Sequence, residues 1–356
     1  MTGFGLLQRL WRGNEAAEET EDRVAQDEAR LPLHVLADDA RLRIEDGLLT
    51  LEAGETEETL RLHEIAFVAL HGGAQVSVPC LQTLARASVP LILLSRSGYY
   101  LGQMVDLSAS HAAVRRAQYR AAEDPKRCLE IARPLVAGKI RAAARIARRR
   151  GSAKAPLVRQ LDKAARAALR ARKPDELRGI EGAATAAWYA AWPDYLPRDD
   201  SLFLFDGRTR RPPRDAINAL LSYLYAVSAG TTAAAAASVG LDPNVGFLHA
   251  ERPGRPALAL DLVEPVRTAV VDAAVIAAIN NGEFASGDFE RHDDGGMRLT
   301  RAGRRQALAI FERRLSTVFR YDGVEMTWRA AIARHSVRLA HGLRSGVLDI
   351  VPPLPR

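Results

Sequence analysis

The sequence predicts an α+β protein: a small N-terminal β-rich domain followed by a larger all-α domain. Three observations carry this expectation. Between about residues 33 and 105, short runs of alternating or continuous apolar residues are separated by turn dipeptides. After residue 108 the chain turns to long Ala-, Leu- and Arg-rich stretches of high helix propensity. With 356 residues, 47% hydrophobic and 26% charged, it is long enough for two cores.

The elements follow in order. Residues 1–31 read as an acidic extension: Glu15 to Glu28 carries seven acids against Arg23, with few aromatic or β-branched residues to bury, so a mobile or loosely docked segment is expected. The β-rich domain is placed at 32–107. It opens with LHVLA, then RLRIE and LLTLEAG around Asp46-Gly47, a dipeptide that tolerates positive φ in a type I′ hairpin turn. Alternation in RLRIE puts Leu42 and Ile44 on one face and Arg41, Arg43 and Glu45 on the other. TLRL, IAFVAL, AQVSV, VPLILLS and YYLGQMV are further strands, with a short helix at Pro79–Ala87 and a turn at Ser97-Gly98.

The helical domain is placed at 108–345. In DAINALLSYLYAVSAG the residues Ile217, Leu220, Leu221, Leu224 and Tyr225 recur at helical spacing, Asp215 caps the start, and Gly230 is read as the stop. TTAAAAASVG is then a second helix ending at Gly240, followed by the loop LDPNVGFLH. A proline-rich tail at 346–356 cannot continue a helix past Pro352 and Pro353.

Composition narrows the function classes. No uncharged apolar run is read as approaching the roughly 18–20 residues that span a bilayer, and the start has no secretory h-region, so a cytoplasmic protein without membrane contact is expected. Two cysteines, Cys80 and Cys128, are too few for a disulfide framework or a zinc cluster. The net charge of +7 is concentrated: Lys139 to Lys173 holds 13 Lys or Arg against Asp162 alone, a segment suited to a polyanion or, equally, to a solvated amphipathic face.

Four residues could carry chemistry. Glu181 opens the apolar stretch GAATAAWYAAW, and alone it reads as a first-turn glutamate complementing a helix dipole. His249, beside Phe247 and Leu248, alone reads as a packing histidine. Asp261 and Glu264 differ: three apart on a helix they share a face, and two acids among apolar neighbours repel unless a cation stands between them. Pro265 disfavours helical geometry at Glu264, so the helix is expected to start or kink there. Carboxylates with a neutral imidazole suit Mg²⁺ or Mn²⁺ better than zinc, and such an ion can neutralise charge in phosphoryl transfer.

IEGAATAAWY, DAINALLSYLYAV, GLDPNVGFLH, GRPALALDLVEPVR and LTRAGRRQALAIFERRL, in that order, resemble the CRISPR-associated endonuclease family that integrates new spacers. LHEIAFVALHGGAQVS and VPLILLSRSGYYLGQMV extend the resemblance upstream, so that it covers about Leu33 to Arg344. It implies a metal held by Glu181, His249 and Glu264, with Asp261 beside the site in a supporting or alternate-ligand role. It places Asn218 and Tyr225 on a helix lining the site and Arg255 and Arg267 near bound DNA. From their basic run, Arg148, Arg149 and Arg150 are expected to grip phosphates. The implied activity is insertion of short protospacer DNA into the CRISPR repeat array through attack of a 3′-hydroxyl on a phosphodiester. The implied partners are DNA, a second copy bound through the β-rich domain, and a small companion subunit, which the tail could contact. Two readings compete: a metal-dependent nuclease of branched or single-stranded DNA, and a non-catalytic DNA-binding scaffold.

Overall fold

The computed structural model describes residues 30–104, 111–149, 155–197 and 200–354. The acidic extension up to residue 29, the domain boundary at 105–110, and Arg150 lie outside the described residues.

The N-terminal part is two four-stranded sheets. One contains β1 (Leu31–Val35), β5 (Ile65–His71), β7 (Leu91–Leu94) and β8 (Tyr100–Met104) in that order, the first three parallel and β8 antiparallel. The other has the order β4 (Thr56–Leu60), β3 (Leu48–Ala53), β2 (Arg41–Glu45) and β6 (Gln75–Val76). The β2–β3 hairpin turns through Asp46 at φ 48° and Gly47 at φ 79°, as the dipeptide predicts. Helix α1 (Val78–Arg86) is capped by Ser77, whose hydroxyl accepts from the Cys80 amide. The predicted TLRL strand falls earlier, on TEETL, and AQVSV pairs only at Gln75 and Val76.

Strand β5 is buried on both faces, which is why it reads as a continuous apolar run. Val68 and Leu70 join Leu42, Leu49 and Leu84 in the core of the β-rich domain, while Phe67, Ala69, Ile92 and Leu94 turn outward against Ala234 of the helical part.

The helical part comprises α2 (Ala112–Glu123), α3 (Pro125–Arg149), α4 (Ala155–Arg170), α5 (Pro174–Ala190), α6 (Ala216–Ser238), α7 (Ala257–Val266), α8 (Ala273–Asn280), α9 (Arg301–Leu315) and α10 (Trp328–Ser345). It also contains two small hairpins, β9–β10 (Phe289–Arg291, Met297–Leu299) and β11–β12 (Val318–Tyr321, Val324–Thr327), that the all-α reading leaves out. The second turns at Asp322-Gly323, with φ 52° and 85°, so the dipeptide that marks the first hairpin marks this one too.

Helix α6 departs from expectation twice. Asp215 caps it, its carboxylate accepting the Asn218 amide at 2.8 Å, but Gly230 does not end it. A Cβ at Gly230 would lie 2.8 Å from Leu94 Cδ2, so glycine is there to let the helix lie close on β7. The two predicted helices are therefore one, and its 23 residues carry no charge, which corrects the reading that no such run exists. The helix is long and apolar enough to cross a membrane, and 83% of that stretch is buried inside the protein.

The helix carrying Glu264 starts at Ala257, eight residues before Pro265, and runs through the proline into a π-helical turn at Arg267–Asp272. Arg314 donates to the Ala269 carbonyl from Nη2 at 2.8 Å and from Nε at 3.3 Å, satisfying a backbone group in the widened turn.

The tail is docked on its own chain as far as Leu354. Leu348 and Ile350 pack on one cluster and Leu354 on another, and Val351 accepts from the Tyr321 hydroxyl at 2.6 Å. Pro352 lies over Gly138 of α3, where a Cβ would meet its ring at 2.7 Å and the Pro265 ring at 3.1 Å. Deleting Leu348–Arg356 is expected to cost about 2–5 kcal/mol, the range for removing buried aliphatic side chains, measured by denaturant unfolding.

Polar residues also tie the β-rich part to the helical part. His71 Nε2 and His34 Nδ1 are 2.9 Å apart, His34 Nε2 is 3.1 Å from Glu312 Oε1, and the Tyr223 hydroxyl is 3.4 Å from His71 Nδ1. With both rings neutral, one direction satisfies the chain: Tyr223 donates to His71, His71 to His34, and His34 to Glu312, which also pairs with Arg329. Burial, with His34 and Arg304 nearby, pushes His71 down to about 3 from 6.5. The unfolded chain therefore takes up a proton at a pH where the folded one does not, and stability falls as pH drops from 6.5 toward 3. We expect His71→Gln to remove roughly 2 kcal/mol of the stability change between pH 6.5 and 4.5, read from denaturant curves at the two pH values.

Candidate active site

Three helices bring their charges to one point. Glu181 comes from the middle of α5, Glu264 from α7 and Lys139 from α3. The first-turn reading of Glu181 is corrected, because the helix begins at Pro174 and Asp175 and Glu176 are its first-turn acids. Lys139 Nζ pairs with Glu181 Oε1 and lies 2.7 Å from Glu264 Oε2; Thr185 Oγ1 donates to Glu181 Oε1 at 3.0 Å. Both Lys139 and Glu264 are buried, while the Glu181 side chain is 27% exposed and faces the surface. Burial opposes charge on Glu264, but Lys139 and Arg267 outweigh it and hold its carboxyl down at about 2. Burial likewise opposes charge on Lys139, and Glu264 and Glu181 outweigh it, so the ammonium is held above the ordinary lysine range.

Asp261 and Glu264 share α7 but do different things. Asp261 is fully buried and accepts the backbone amides of Phe247, Leu248 and His249 at 2.6, 3.0 and 3.0 Å. Its Oδ1 also lies 2.7 Å from His249 Nδ1. These partners use the carboxylate on its own loop, so Asp261 fixes LDPNVGFLH in place. Gly246 permits the closeness, since a Cβ there would stand 2.7 Å from Asp261 Oδ2 and 2.9 Å from the Ala257 carbonyl carbon. With Nδ1–H given to Asp261, the His249 lone pair sits on Nε2, which points toward Glu264 Oε1 at 3.8 Å.

Behind this point the polar groups continue inward. Arg267 Nη1 donates to Glu264 Oε1 at 3.1 Å, and its guanidinium lies 4.4 Å from the Tyr225 ring centre. Tyr225 donates to Asp272 Oδ1, the Tyr189 hydroxyl is 2.6 Å from that of Tyr225, and Trp188 Nε1 donates to Asp272 Oδ2 at 2.8 Å. Burial raises the Asp272 carboxyl above its ordinary range against the pull of Tyr225 and Trp188. Arg267, expected near DNA, is turned inward as the partner of Glu264.

The other expected DNA contacts divide. Asn218 is fully buried: its Oδ1 accepts from Arg208 Nη1 at 2.8 Å and from the Thr209 amide at 2.9 Å, and its Nδ2 donates to Gly207 and Asp215. It therefore positions the loop carrying Arg208 and has no free group for DNA. Arg255 is half-buried, and burial and then the neighbouring charge of Arg252, with Arg211 and Arg267 adding to it against Asp261, bring its pKa below the ordinary arginine value. Arg148 and Arg149 are exposed at the end of α3, Arg148 paired with Asp162 at 2.9 Å. An open groove of about 780 Å³ runs from Glu181 past Thr185, Tyr189 and Phe205 to Arg208 and Arg210.

Sequence reasoning missed Lys139, Asp272 and Trp188. Lys139 was counted with the basic run, but its spacing from Ala132, Val136 and Ala143 puts it on the apolar face of α3, and that was the available signal.

The description "CRISPR associated protein Cas1" belongs to the family model that matches residues 33–313. The chain belongs to the Cas1 family. A Rhodospirillum rubrum "CRISPR-associated endonuclease Cas1 2" is 35% identical over 307 residues, covering 82% of this chain and 88% of that protein. Fusions of exonuclease Cas4 with endonuclease Cas1 from Rhodospirillum rubrum and Geobacter sulfurreducens are each 39% identical, over 85% and 80% of this chain. The chain spans about half of each fusion, 54% and 53%. Among solved structures, a casposase bound to integration product superposes with a TM-score of 0.78 at 26% identity, covering 91% of this chain and 93% of that one. A Cas1 protein from Thermotoga maritima superposes at 0.75 with 22% identity over 88% and 97%, and shares the fold.

The donor chemistry of this Cas1-family site fits Mg²⁺ or Mn²⁺: two carboxylates, an imidazole with its lone pair on Nε2, and a buried Glu264 Oε2 that accepts no well-aligned hydrogen bond. As the side chains lie, no three acidic, histidine or cysteine groups among the described residues stand close enough to enclose an ion, and Lys139 stands between the two carboxylates.

Asp261→Asn replaces an acceptor of three amides with a group that must turn a donor toward one of them, and is expected to cost roughly 2–4 kcal/mol. His249→Ala removes a partly exposed ring and is expected to cost less than about 1 kcal/mol. Melting curves of the two variants check this; equal losses would contradict the loop-holding role.

Proposed function

We propose that this chain is a DNA integrase of CRISPR adaptation, joining short DNA fragments into a repeat array by transesterification. The observation that carries the reading is the meeting of Glu181, Glu264 and the Nε2 side of His249 beside an open, arginine-lined groove in a chain of the Cas1 family. The likeness to a casposase bound to integration product supports joining over cutting alone.

Glu181, Glu264 and His249 would hold a divalent ion, Mg²⁺ or Mn²⁺, which when bound supplies positive charge to the phosphoryl oxygens. Asp261 keeps His249 in the tautomer that presents Nε2, and Arg267 steadies Glu264 from behind. Arg208 and Arg210 on the groove offer charge to a phosphate backbone without reading sequence. In the reaction the 3′-hydroxyl of the fragment gives up its proton and forms a new P–O bond as the P–O bond to the departing repeat strand breaks, and the departing oxygen takes up a proton to become a hydroxyl. One phosphodiester replaces another, so no external energy source is needed.

Pairing of two copies through the β-rich domain, and binding of a small companion subunit, belong to the same proposal. A "Cas6-RT-Cas1--Cas2 complex" contains a chain of this fold, at 23% identity.

The test is joining of a short duplex with free 3′ ends into a supercoiled plasmid bearing a repeat, with the companion subunit and Mn²⁺ or Mg²⁺. His249→Ala is expected to reduce joining about 100-fold or more with DNA binding kept. A fragment with a blocked 3′ end must stop joining; cleavage that continues without joining would favour the nuclease, and binding with neither would favour a scaffold.

A further inference from the structure

The sequence argument calls for a cation between Asp261 and Glu264; the structure places one, Lys139, between Glu264 and Glu181 instead. Its ammonium touches both Glu181 and Glu264, and the residue is only 7% exposed. Arg267 adds a second positive charge on the other oxygen of Glu264. Two carboxylates and two cations thus already cancel, while the charge of Asp261 is met by three amides and the His249 ring. A divalent ion entering this cluster would leave these four groups two charges positive, with only the single negative charge of Asp261 nearby to offset them, in a mostly buried place, which is unfavourable until an anion arrives. It also meets a competitor, since Glu264 Oε2 and Glu181 Oε1 are the atoms Lys139 covers.

We propose that Lys139 is a displaceable counter-ion that holds Glu181 and Glu264 together in the DNA-free protein, competes with the divalent ion for their oxygens, and makes tight metal binding depend on an incoming DNA phosphate. The inference rests on the metal-binding reading proposed above. The phosphate supplies the missing negative charge, and the ammonium freed from the carboxylates, on its flexible four-carbon stem, can meet a phosphate oxygen. Metal and DNA then strengthen each other's binding by the same factor, as linkage requires.

Mn²⁺ binding followed by electron paramagnetic resonance, with and without a short duplex whose own Mn²⁺ uptake is subtracted, tests this in the full chain. Without DNA, Lys139→Met is expected to bind Mn²⁺ about tenfold more tightly than the native protein, and DNA is expected to tighten the native protein by a larger factor than the variant. Lys139→Gln, which keeps a hydrogen-bond donor without the charge, is expected to behave like Lys139→Met. If either variant is unstable alone, a rise in melting temperature on adding Mn²⁺, larger than in the native protein, supports the proposal in the same way. Unchanged or weaker Mn²⁺ binding in both variants, with loss of binding in His249→Ala, would overturn it and leave the metal site standing. Mn²⁺ binding that His249→Ala and Glu181→Gln leave unaltered would overturn the metal reading itself, and this inference with it.

Discussion

The ion pair between Lys139 and Glu264 is the interaction around which the helical part is arranged. Burying either charge alone would be prohibitive, and removing one partner of such a pair costs about 3–5 kcal/mol because the other is left uncompensated. Helices α3 and α7 must therefore stay in register with each other. The π-helical turn that follows Pro265, the Arg267 contact to Glu264 and the Pro352 ring over Gly138 all act on that register. Glu181 is the member of the cluster that reaches solvent, so the charge held in the core surfaces on the groove.

Polar groups deeper in the same part form a supporting frame. Tyr225, Tyr189, Trp188 and Asp272 are each satisfied, and Arg267 ties this frame to the carboxylates over the Tyr225 ring. A site built this way is held from behind, on helices, while the histidine comes from a loop. That loop is then fixed by Asp261 through backbone amides, so its accuracy depends on one carboxylate and on the small size of Gly246.

Much of this was legible in the sequence because it is local. Asp46-Gly47 writes its own turn, Asp215 its own cap, and the spacing of Asp261 and Glu264 survives as shared helix. What was not legible depends on partners distant in the chain. Gly230 looks like a helix stop until Leu94 is seen against it, and Pro265 looks like a start or break although the helix runs from Ala257 through it. Lys139 was hidden among basic neighbours whose charge faces water, because composition does not separate one buried ammonium from a dozen solvated ones. The docking of the tail was not legible either, because prolines that exclude a helix say nothing about packing.

The close seat of α6 on β7 has a mechanical meaning. This single rod, roughly 35 Å long, carries Tyr225 under Arg267, the partner of Glu264, along one stretch and Gly230 and Ala234 against the sheet along another. A turn of the sheets would swing the cluster of Lys139, Glu264 and Arg267 like the arm of a compass.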